Sequence, residues 1–172
     1  RGGLLVAADC IGVLRVPAGP PPAVPPQFDV NQIASGRLLV TAANDRSIYV
    51  YDKDTATKSN CDAACLREWA PVLAPENVKP KGEWAIIENS PGVKQWTFRG
   101  KPVYTHLLDS IPHSREGGDV PGWHNVFTQK APPAPKGWTV HGNREGDVLG
   151  DEQGRTIYIY RCNDDAADQL AC

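Results

Sequence analysis

Two cysteines four residues apart, Cys61 and Cys65, come closest in this sequence to a reactive pair. Thiolates at this spacing bind soft metals such as copper. A binuclear copper site would need another ligand four residues on, where this chain has Trp69, which cannot ligate. Zinc sites prefer tighter pairs, and covalent haem needs a histidine directly after the second cysteine. The sequence therefore favours a structural disulfide. The alternative is a periplasmic copper-type or redox site that uses Cys61, Cys65 and His106.

The remaining cysteines indicate where the protein works. Cys162 and Cys172 form a second close-spaced pair, and each pair follows a strand with the pattern Tyr-x-Tyr. Paired cysteines in a small domain are typical of disulfides in an oxidising compartment. We predict a Cys162–Cys172 disulfide that closes the acidic segment between them, whereas Cys10 is left without a partner.

Tyrosines and aspartates supply the second candidate site. Tyr49 and Tyr51 alternate along a predicted strand, so both side chains face the same way, and Asp54 follows in the next turn. Aromatic packing with a hydrogen-bonded aspartate is the simpler interpretation. The alternative is an aromatic and carboxylate surface, repeated along the chain, that binds a ligand or a partner. That surface would comprise Tyr49, Tyr51, Asp54, Tyr104, Asp109, Tyr158 and Tyr160.

Other functional signatures are absent from the sequence. It contains no nucleophile elbow, phosphate-binding loop or dinucleotide fingerprint, and its four histidines are scattered. We therefore predict a protein that is not an enzyme and needs no cofactor. The net charge of −2 without a Lys/Arg cluster argues against nucleic-acid binding. No apolar run approaches the roughly 20 residues of a transmembrane span.

Three similar segments position these residues. The tyrosines Tyr49, Tyr104 and Tyr158 end the same short pattern, and they are spaced about 55 residues apart. An aromatic residue precedes each by roughly twenty positions, namely Phe28, Trp84 and Trp138. The sequence thus predicts about three repeats, the last one truncated. Sixteen prolines and sixteen glycines favour short antiparallel strands, and we expect a mainly β fold stabilised by disulfides.

Strands and turns follow from local composition. Predicted strands are short and rich in β-branched and aromatic residues: 37–42, 47–51, 84–88, 94–98, 102–106, 123–127, 138–141 and 156–160. Hairpin turns are expected at Asn44-Asp45, Ser90-Pro91-Gly92, Arg99-Gly100 and Gln153-Gly154. One short helix is expected over Asp62–Trp69, capped by Asn60 and ended by Pro71.

Proline-rich stretches divide the chain. Pro17–Pro26 predicts a stiff N-terminal spacer without a core of its own, and Ala131–Pro135 is a shorter version. The predicted domains are an N-terminal segment with the spacer (1–27), a two-repeat domain (28–130) and a truncated third repeat (131–172). Gly2–Ala8 suits either the tail of a signal peptide or a first strand over Leu4–Val16.

The combined pattern resembles a known family. Tyr49, Tyr51 and Asp54 fit Tyr-x-aromatic-x-x-Asp, and a Cys-x-x-x-Cys pair, Trp69 and Pro71 follow. With Lys94-Gln95-Trp96, Gly100–Tyr104 and Gly122-Trp123-His124 added, residues 35–128 are similar to the secreted bacterial repeat family of predicted lipoproteins with a Yx(FWY)xxD motif. Later copies depart from the motif, with His106 at the aromatic place of the second and Asn163 at the aspartate place of the third.

The resemblance implies an exported protein of periplasmic or extracellular location, in a family whose activity is not established. We therefore expect a β-repeat module that binds a protein partner or serves as a subunit of a larger assembly. Membrane attachment would require an anchor or a partner.

Overall fold

The computed structural model describes residues 10–12, 17, 19–112, 114–143 and 146–160. Within them the chain is mainly β, as predicted. The strands are β1 (Cys10–Gly12), β2 (Phe28–Ile33), β3 (Gly36–Thr41), β4 (Ile48–Tyr51), β5 (Trp69–Pro71), β6 (Trp84–Ser90), β7 (Val93–Phe98), β8 (Lys101–Pro102), β9 (Tyr104–His106), β10 (Trp123–Asn125), β11 (Phe127–Lys130), β12 (Trp138–Asn143), β13 (Gly146–Asp151) and β14 (Tyr158–Tyr160). Two short 3-10 helices cover Cys65–Arg67 and Glu116–Asp119.

The predicted turns join these strands. Arg99 and Gly100 both have positive φ, 49° and 72°, as a tight turn between antiparallel strands requires. Their turn connects β7 to β8, which pair antiparallel with Phe98 opposite Lys101. Glycine at position 100 therefore supplies a backbone conformation that most residues adopt only with strain.

The predicted helix over Asp62–Trp69 is wrong in type and length. The chain forms only the 3-10 helix Cys65–Arg67, and Trp69 begins strand β5. Asp62 rather than Asn60 supplies the side-chain acceptor at the start of this helix, since its Oδ1 accepts a hydrogen bond from the Cys65 N–H at 2.9 Å. A disulfide within the segment and a strand pairing directly after it leave no room for a longer helix. Neither helix of the described residues is long and apolar enough to cross a membrane.

The chain divides into two compact units. Unit 2 comprises residues 23–29 and 39–126, and unit 1 comprises 1–22, 30–38 and 127–172. Unit 2 contains a four-stranded sheet in the order β10-β4-β9-β5 and a three-stranded sheet in the order β6-β7-β8. The first of these holds the candidate site, because β4 and β9 carry the first two tyrosines of the repeated pattern.

Aromatic side chains build a core against the second sheet of unit 2. Phe28 packs on Trp84 with ring centroids 4.4 Å apart, and Trp84 also contacts Trp96 and Phe98. The end of the predicted proline spacer takes part in this packing: residues 23–26 line a cavity of about 270 Å³ together with Trp84 and Trp96. These spacer residues therefore belong to a packed unit.

The described residues of unit 1 form small β-sheets of two or three strands. β12 and β13 form a hairpin, β1 pairs with β14, and residues 36–38 of β3 pair with β11 in a sheet of order β11-β3-β2. Arg37 is buried in this unit, and its guanidinium donates hydrogen bonds to the Gln129 side chain and to the Pro17 and Gly19 carbonyls. This buried cation fixes the first part of the proline-rich segment.

The three-repeat prediction is not confirmed. Phe28, Trp84 and Trp138 each begin the first strand of a hairpin, and each N–H donates to the carbonyl three residues earlier. Their environments nevertheless differ. Phe28 and Trp84 are buried against each other, whereas Trp138 is 40% exposed. The local order of strands thus recurs, while the packing of the third segment departs from that of the first two.

Candidate functional site

The site is built on two neighbouring tyrosine strands. β4 and β9 pair antiparallel, with Tyr49 directly opposite Tyr104. Each tyrosine is fully buried, with 0% exposure. Because residues of one strand alternate between its two faces, the strand pattern Tyr-x-aromatic directs two ring systems to the same side of the sheet.

The tyrosines and aspartates of the two segments exchange hydrogen bonds. The Tyr49 hydroxyl donates to Asp109 Oδ2 at 2.6 Å, and the Tyr104 hydroxyl donates to Asp54 Oδ2 at 2.7 Å. Each tyrosine therefore bonds to the aspartate of the other segment, not to the one five residues later in its own. We call these two contacts the crossed Tyr–Asp pairs.

Further hydrogen bonds hold Asp54 and its partner Tyr104. It is 3% exposed, and its Oδ1 accepts a hydrogen bond from the Asn60 N–H at 2.6 Å. Ser59 Oγ lies 2.6 Å from the Tyr104 hydroxyl, and the Lys101 ammonium donates to the Asp54 carbonyl oxygen at 2.7 Å. Both carboxylate oxygens are thus satisfied inside the protein, as burial of a charged group requires.

Asp109 is held in a different way. It is 1% exposed, and its Oδ1 accepts a hydrogen bond from Ser114 Oγ at 3.1 Å. His106 Nδ1 lies 3.5 Å from the same oxygen, which is too long for a good hydrogen bond. Neither ring nitrogen of His106 has a hydrogen-bond partner among the described residues, although the ring is buried. His106 therefore fills its place chiefly by packing against Trp69, 4.4 Å away between ring centroids.

Burial sets the acidity of both tyrosines. It raises the pKa of the Tyr49 hydroxyl well above its ordinary value, and the hydrogen bond and negative charge of Asp109 raise the pKa further. Burial likewise raises the pKa of Tyr104, where Asp54 adds to the rise and the hydrogen bond with Ser59 opposes it. Both hydroxyls consequently remain protonated donors at neutral pH.

Stacked rings cover the pairs. Tyr51 stacks on Trp123 at 4.5 Å and Trp123 on Trp69 at 3.5 Å between centroids, and the His106 ring contacts Trp69 at 4.4 Å with a tilt of 35°. Gly117 closes this cluster, because a Cβ there would lie 2.8 Å from Trp69 Cη2 and 2.9 Å from Tyr49 Cε1. Only glycine fits at that approach without movement of the rings.

The Cys61–Cys65 disulfide packs against the same cluster. Its Cα atoms are 5.2 Å apart, within the usual range for a disulfide, and both cysteines contact the buried rings. The predicted Cys61–Cys65 disulfide is therefore confirmed. A thiolate metal site would require both sulfurs in the reduced state. Among the described residues, no three His, Cys, Asp or Glu side chains are grouped as metal ligands would be.

The predicted surface residues do not share one environment. Tyr49, Tyr104, Asp54 and Asp109 are buried, which favours the packing interpretation over a ligand surface for these four. Tyr51 is half-buried and Tyr158 is 39% exposed. Tyr160 lies on β14 opposite Cys10, and its side chain is outside the described part, as are Cys162 and Cys172.

Sequence reasoning missed several residues that complete the site. Asn60 and Ser114 orient the two aspartates, Ser59 bonds to the Tyr104 hydroxyl, and Gly117 admits the rings. Their only sequence signal is position, since Ser59 and Asn60 lie five and six residues after Asp54 and Ser114 lies five after Asp109.

Comparison with known proteins gives a match, and it covers the region around β4. Residues 34–73 match the family model of a secreted repeat of unknown function. This match confirms the resemblance seen in the sequence, and the family description places the repeat among exported proteins. No curated protein and no solved structure matches the chain.

The matched secreted repeat contains one half of each crossed pair. Tyr49 and Asp54 lie within residues 34–73, whereas their partners Asp109 and Tyr104 lie beyond them. The motif residues of the secreted repeat are therefore satisfied by a second segment of similar pattern.

Proposed function

We propose that this chain is a non-enzymatic module of the periplasmic or extracellular space that binds a protein partner and so joins a larger assembly. The side chains most capable of chemistry are engaged with one another. Tyr49, Tyr104, Asp54 and Asp109 bond to one another, and Cys61 and Cys65 form a disulfide. This supports a function exerted through the surface.

An exposed apolar patch carries the proposal. Leu66, Leu107, Leu108 and Ile111 are between 43% and 65% exposed, and we call them the Leu107 patch. The Leu107 N–H donates to the Glu68 carbonyl at 2.7 Å, which places the turn after β9 beside the 3-10 helix that carries Leu66. Clustered apolar side chains on a surface mark sites of protein–protein contact.

The crossed pairs explain how this patch is held. Asp109 is buried in the same turn that exposes Leu108 and Ile111, and Tyr49 and Ser114 fix its carboxylate. A turn ordered before binding loses less conformational entropy when a partner docks. Asp109 thereby orders the turn that exposes the Leu107 patch, although Asp109 itself is buried.

The proposal is tested with the full chain as bait in the exported fraction of its own cells. Leu108→Asp should abolish capture of the partner, since it places a charge in the centre of an apolar contact. Val93→Asp is the matched control, because Val93 is exposed at 39% in the same unit but lies at the start of β7, directly after the β6–β7 turn. The purified pair should then show a dissociation constant raised at least tenfold by Leu108→Asp alone.

Two results would contradict the proposal. One is a purified partner whose affinity is unchanged by Leu108→Asp. The other is turnover of a substrate by the purified chain that the crossed-pair substitution Asp109→Asn abolishes without unfolding the protein.

A further inference from the structure

The first two segments of the repeated pattern pack against each other through their marker residues, by which we mean the aromatic residue and the tyrosine that recur in each segment. In unit 2, the aromatic Phe28 of the first segment packs on Trp84 of the second, with centroids 4.4 Å apart. Tyr49 of the first lies directly opposite Tyr104 of the second across β4 and β9. Each marker residue of the first segment thus contacts the equivalent residue of the second. Contacts between equivalent residues are characteristic of a two-fold symmetric arrangement.

The third segment has the same order of strands as the first two, but its marker residues, Trp138 and Tyr158, are exposed. Trp138 is 40% exposed and Tyr158 is 39% exposed, against 7% or less for their counterparts in unit 2. Val140, two residues after Trp138 and on the same face of β12, is 37% exposed. Three large apolar side chains of one small segment therefore face solvent.

Within the described part of the chain, the strand that carries Tyr158 has one neighbouring strand, while Thr156 just before it bridges Gly150 of β13. β14 pairs with β1 on one side, and among the described residues no strand pairs with its other side. In unit 2, by contrast, β4 has β10 on one side and the second tyrosine strand β9 on the other. β14 thus resembles β4 with the position of β9 left unfilled.

We infer that the third segment docks against the third segment of a second copy of this chain. The two β14 strands pair antiparallel with Tyr158 opposite Tyr158 of the partner copy, as Tyr49 lies opposite Tyr104 within unit 2. Trp138 of each copy takes the role that Phe28 and Trp84 play for each other. A self-complementary contact of this kind closes as a dimer, and it removes an unpaired strand edge.

A second copy fits this surface better than an unrelated protein. The internal pairing shows that segments with this pattern fit one another through both markers at once. The described residues of unit 1 hold no second segment of this pattern, and a second copy of the chain offers an identical surface. The inference concerns unit 1 only and is independent of the Leu107 patch.

Sedimentation equilibrium of the full chain tests the self-association. The wild-type chain should show a reversible monomer–dimer equilibrium, and Trp138→Ser should raise the dissociation constant at least tenfold. Val93→Ser serves as the matched control, since Val93 has nearly the same exposure, 39%, in unit 2. It should leave the equilibrium unchanged. A wild-type chain that stays monomeric at millimolar concentration would overturn the inference.

Cross-linking checks the register and remains decisive if Trp138→Ser does not fold. Residues directly opposite in antiparallel strands have Cα atoms about 4.5–5.5 Å apart, a distance that a disulfide can bridge. Tyr158→Cys should therefore give a covalent dimer on mild oxidation, linked between the two positions 158 in peptide maps. Val93→Cys should give no link between its own positions. A Tyr158→Cys chain that forms links elsewhere but none between positions 158 would refute the pairing.

Discussion

Removal of a single hydroxyl, by Tyr49→Phe, tests whether the crossed pairs stabilise unit 2. The substitution keeps the buried ring but deletes the donor 2.6 Å from Asp109 Oδ2. A hydrogen bond to a charged group contributes about 1.5–3 kcal/mol, so we expect the free energy of unfolding to fall by about 2 kcal/mol. For a unit of roughly 95 residues this corresponds to a fall in Tm of about 8–16 °C.

Tryptophan fluorescence during thermal and urea unfolding is a suitable assay. Trp69, Trp84, Trp96 and Trp123 all lie in unit 2, so the signal reports chiefly on that unit. Tyr51→Phe is the matched control, because Tyr51 lies on the same strand and its hydroxyl has no hydrogen-bond partner in the described part of the chain. We expect that change to alter stability by less than about 0.5 kcal/mol.

A double-mutant cycle distinguishes crossed pairs from pairs within one segment. Tyr49→Phe combined with Asp109→Asn should show a coupling energy of about 1 kcal/mol or more, since the two groups bond directly. Tyr49→Phe combined with Asp54→Asn should be additive within about 0.5 kcal/mol, since Asp54 bonds to Tyr104 instead. Coupling of Tyr49 to Asp54 and not to Asp109 would refute the reasoning.

Three further predictions concern the same cluster. Gly117→Ala should destabilise unit 2 by about 1–3 kcal/mol in urea unfolding, because its Cβ would lie within 3 Å of the Trp69 and Tyr49 rings; wild-type stability would contradict the packing. Replacing both Cys61 and Cys65 by serine should cost about 2 kcal/mol or less, whereas Trp69→Ala should cost about 3 kcal/mol or more. The reverse order would show that the disulfide does more than hold Trp69. Because burial raises the pKa of Tyr49 and Tyr104 in the folded state, stability should be retained below the ordinary tyrosine pKa of about 10 and fall as pH rises above it. The Tyr49→Phe/Tyr104→Phe chain should show a shallower fall in the urea midpoint between pH 9 and 11, and an equal slope would argue against this cause.

Local sequence patterns predicted most strands and turns. β4, β6, β7, β12 and the turn at Arg99-Gly100 follow from alternating apolar residues and from residues that tolerate positive φ. β5 was missed because Trp69-Ala70-Pro71 is short and contains a proline. β13 was missed because its residues, GDVLGD, are poor strand formers that pair only because β12 lies beside them.

The crossed pairs could not be derived from the sequence. Tyr49 and Asp109 are sixty residues apart, and their contact depends on the register of β4 against β9. The sequence predicted a hydrogen-bonded Asp54 in the turn after Tyr51 but not its donors, and in the structure one carboxylate oxygen of each aspartate accepts from the tyrosine of the other segment. The helix over Asp62–Trp69 failed for a related reason, since pairing of Trp69 with His106 across β5 and β9 overrides local propensity.

The central claim is that Tyr49 and Tyr104 are buried structural donors and not part of an exposed binding surface. Carbon-13 NMR of the tyrosine Cζ atoms measures this directly in the full chain, with resonances assigned by single Tyr→Phe substitutions. The resonances of Tyr49 and Tyr104 should not shift as the pH passes through the ordinary tyrosine range near 10, and should move only when the protein unfolds. Reversible ionisation of either tyrosine near pH 10 in the folded protein would contradict the account.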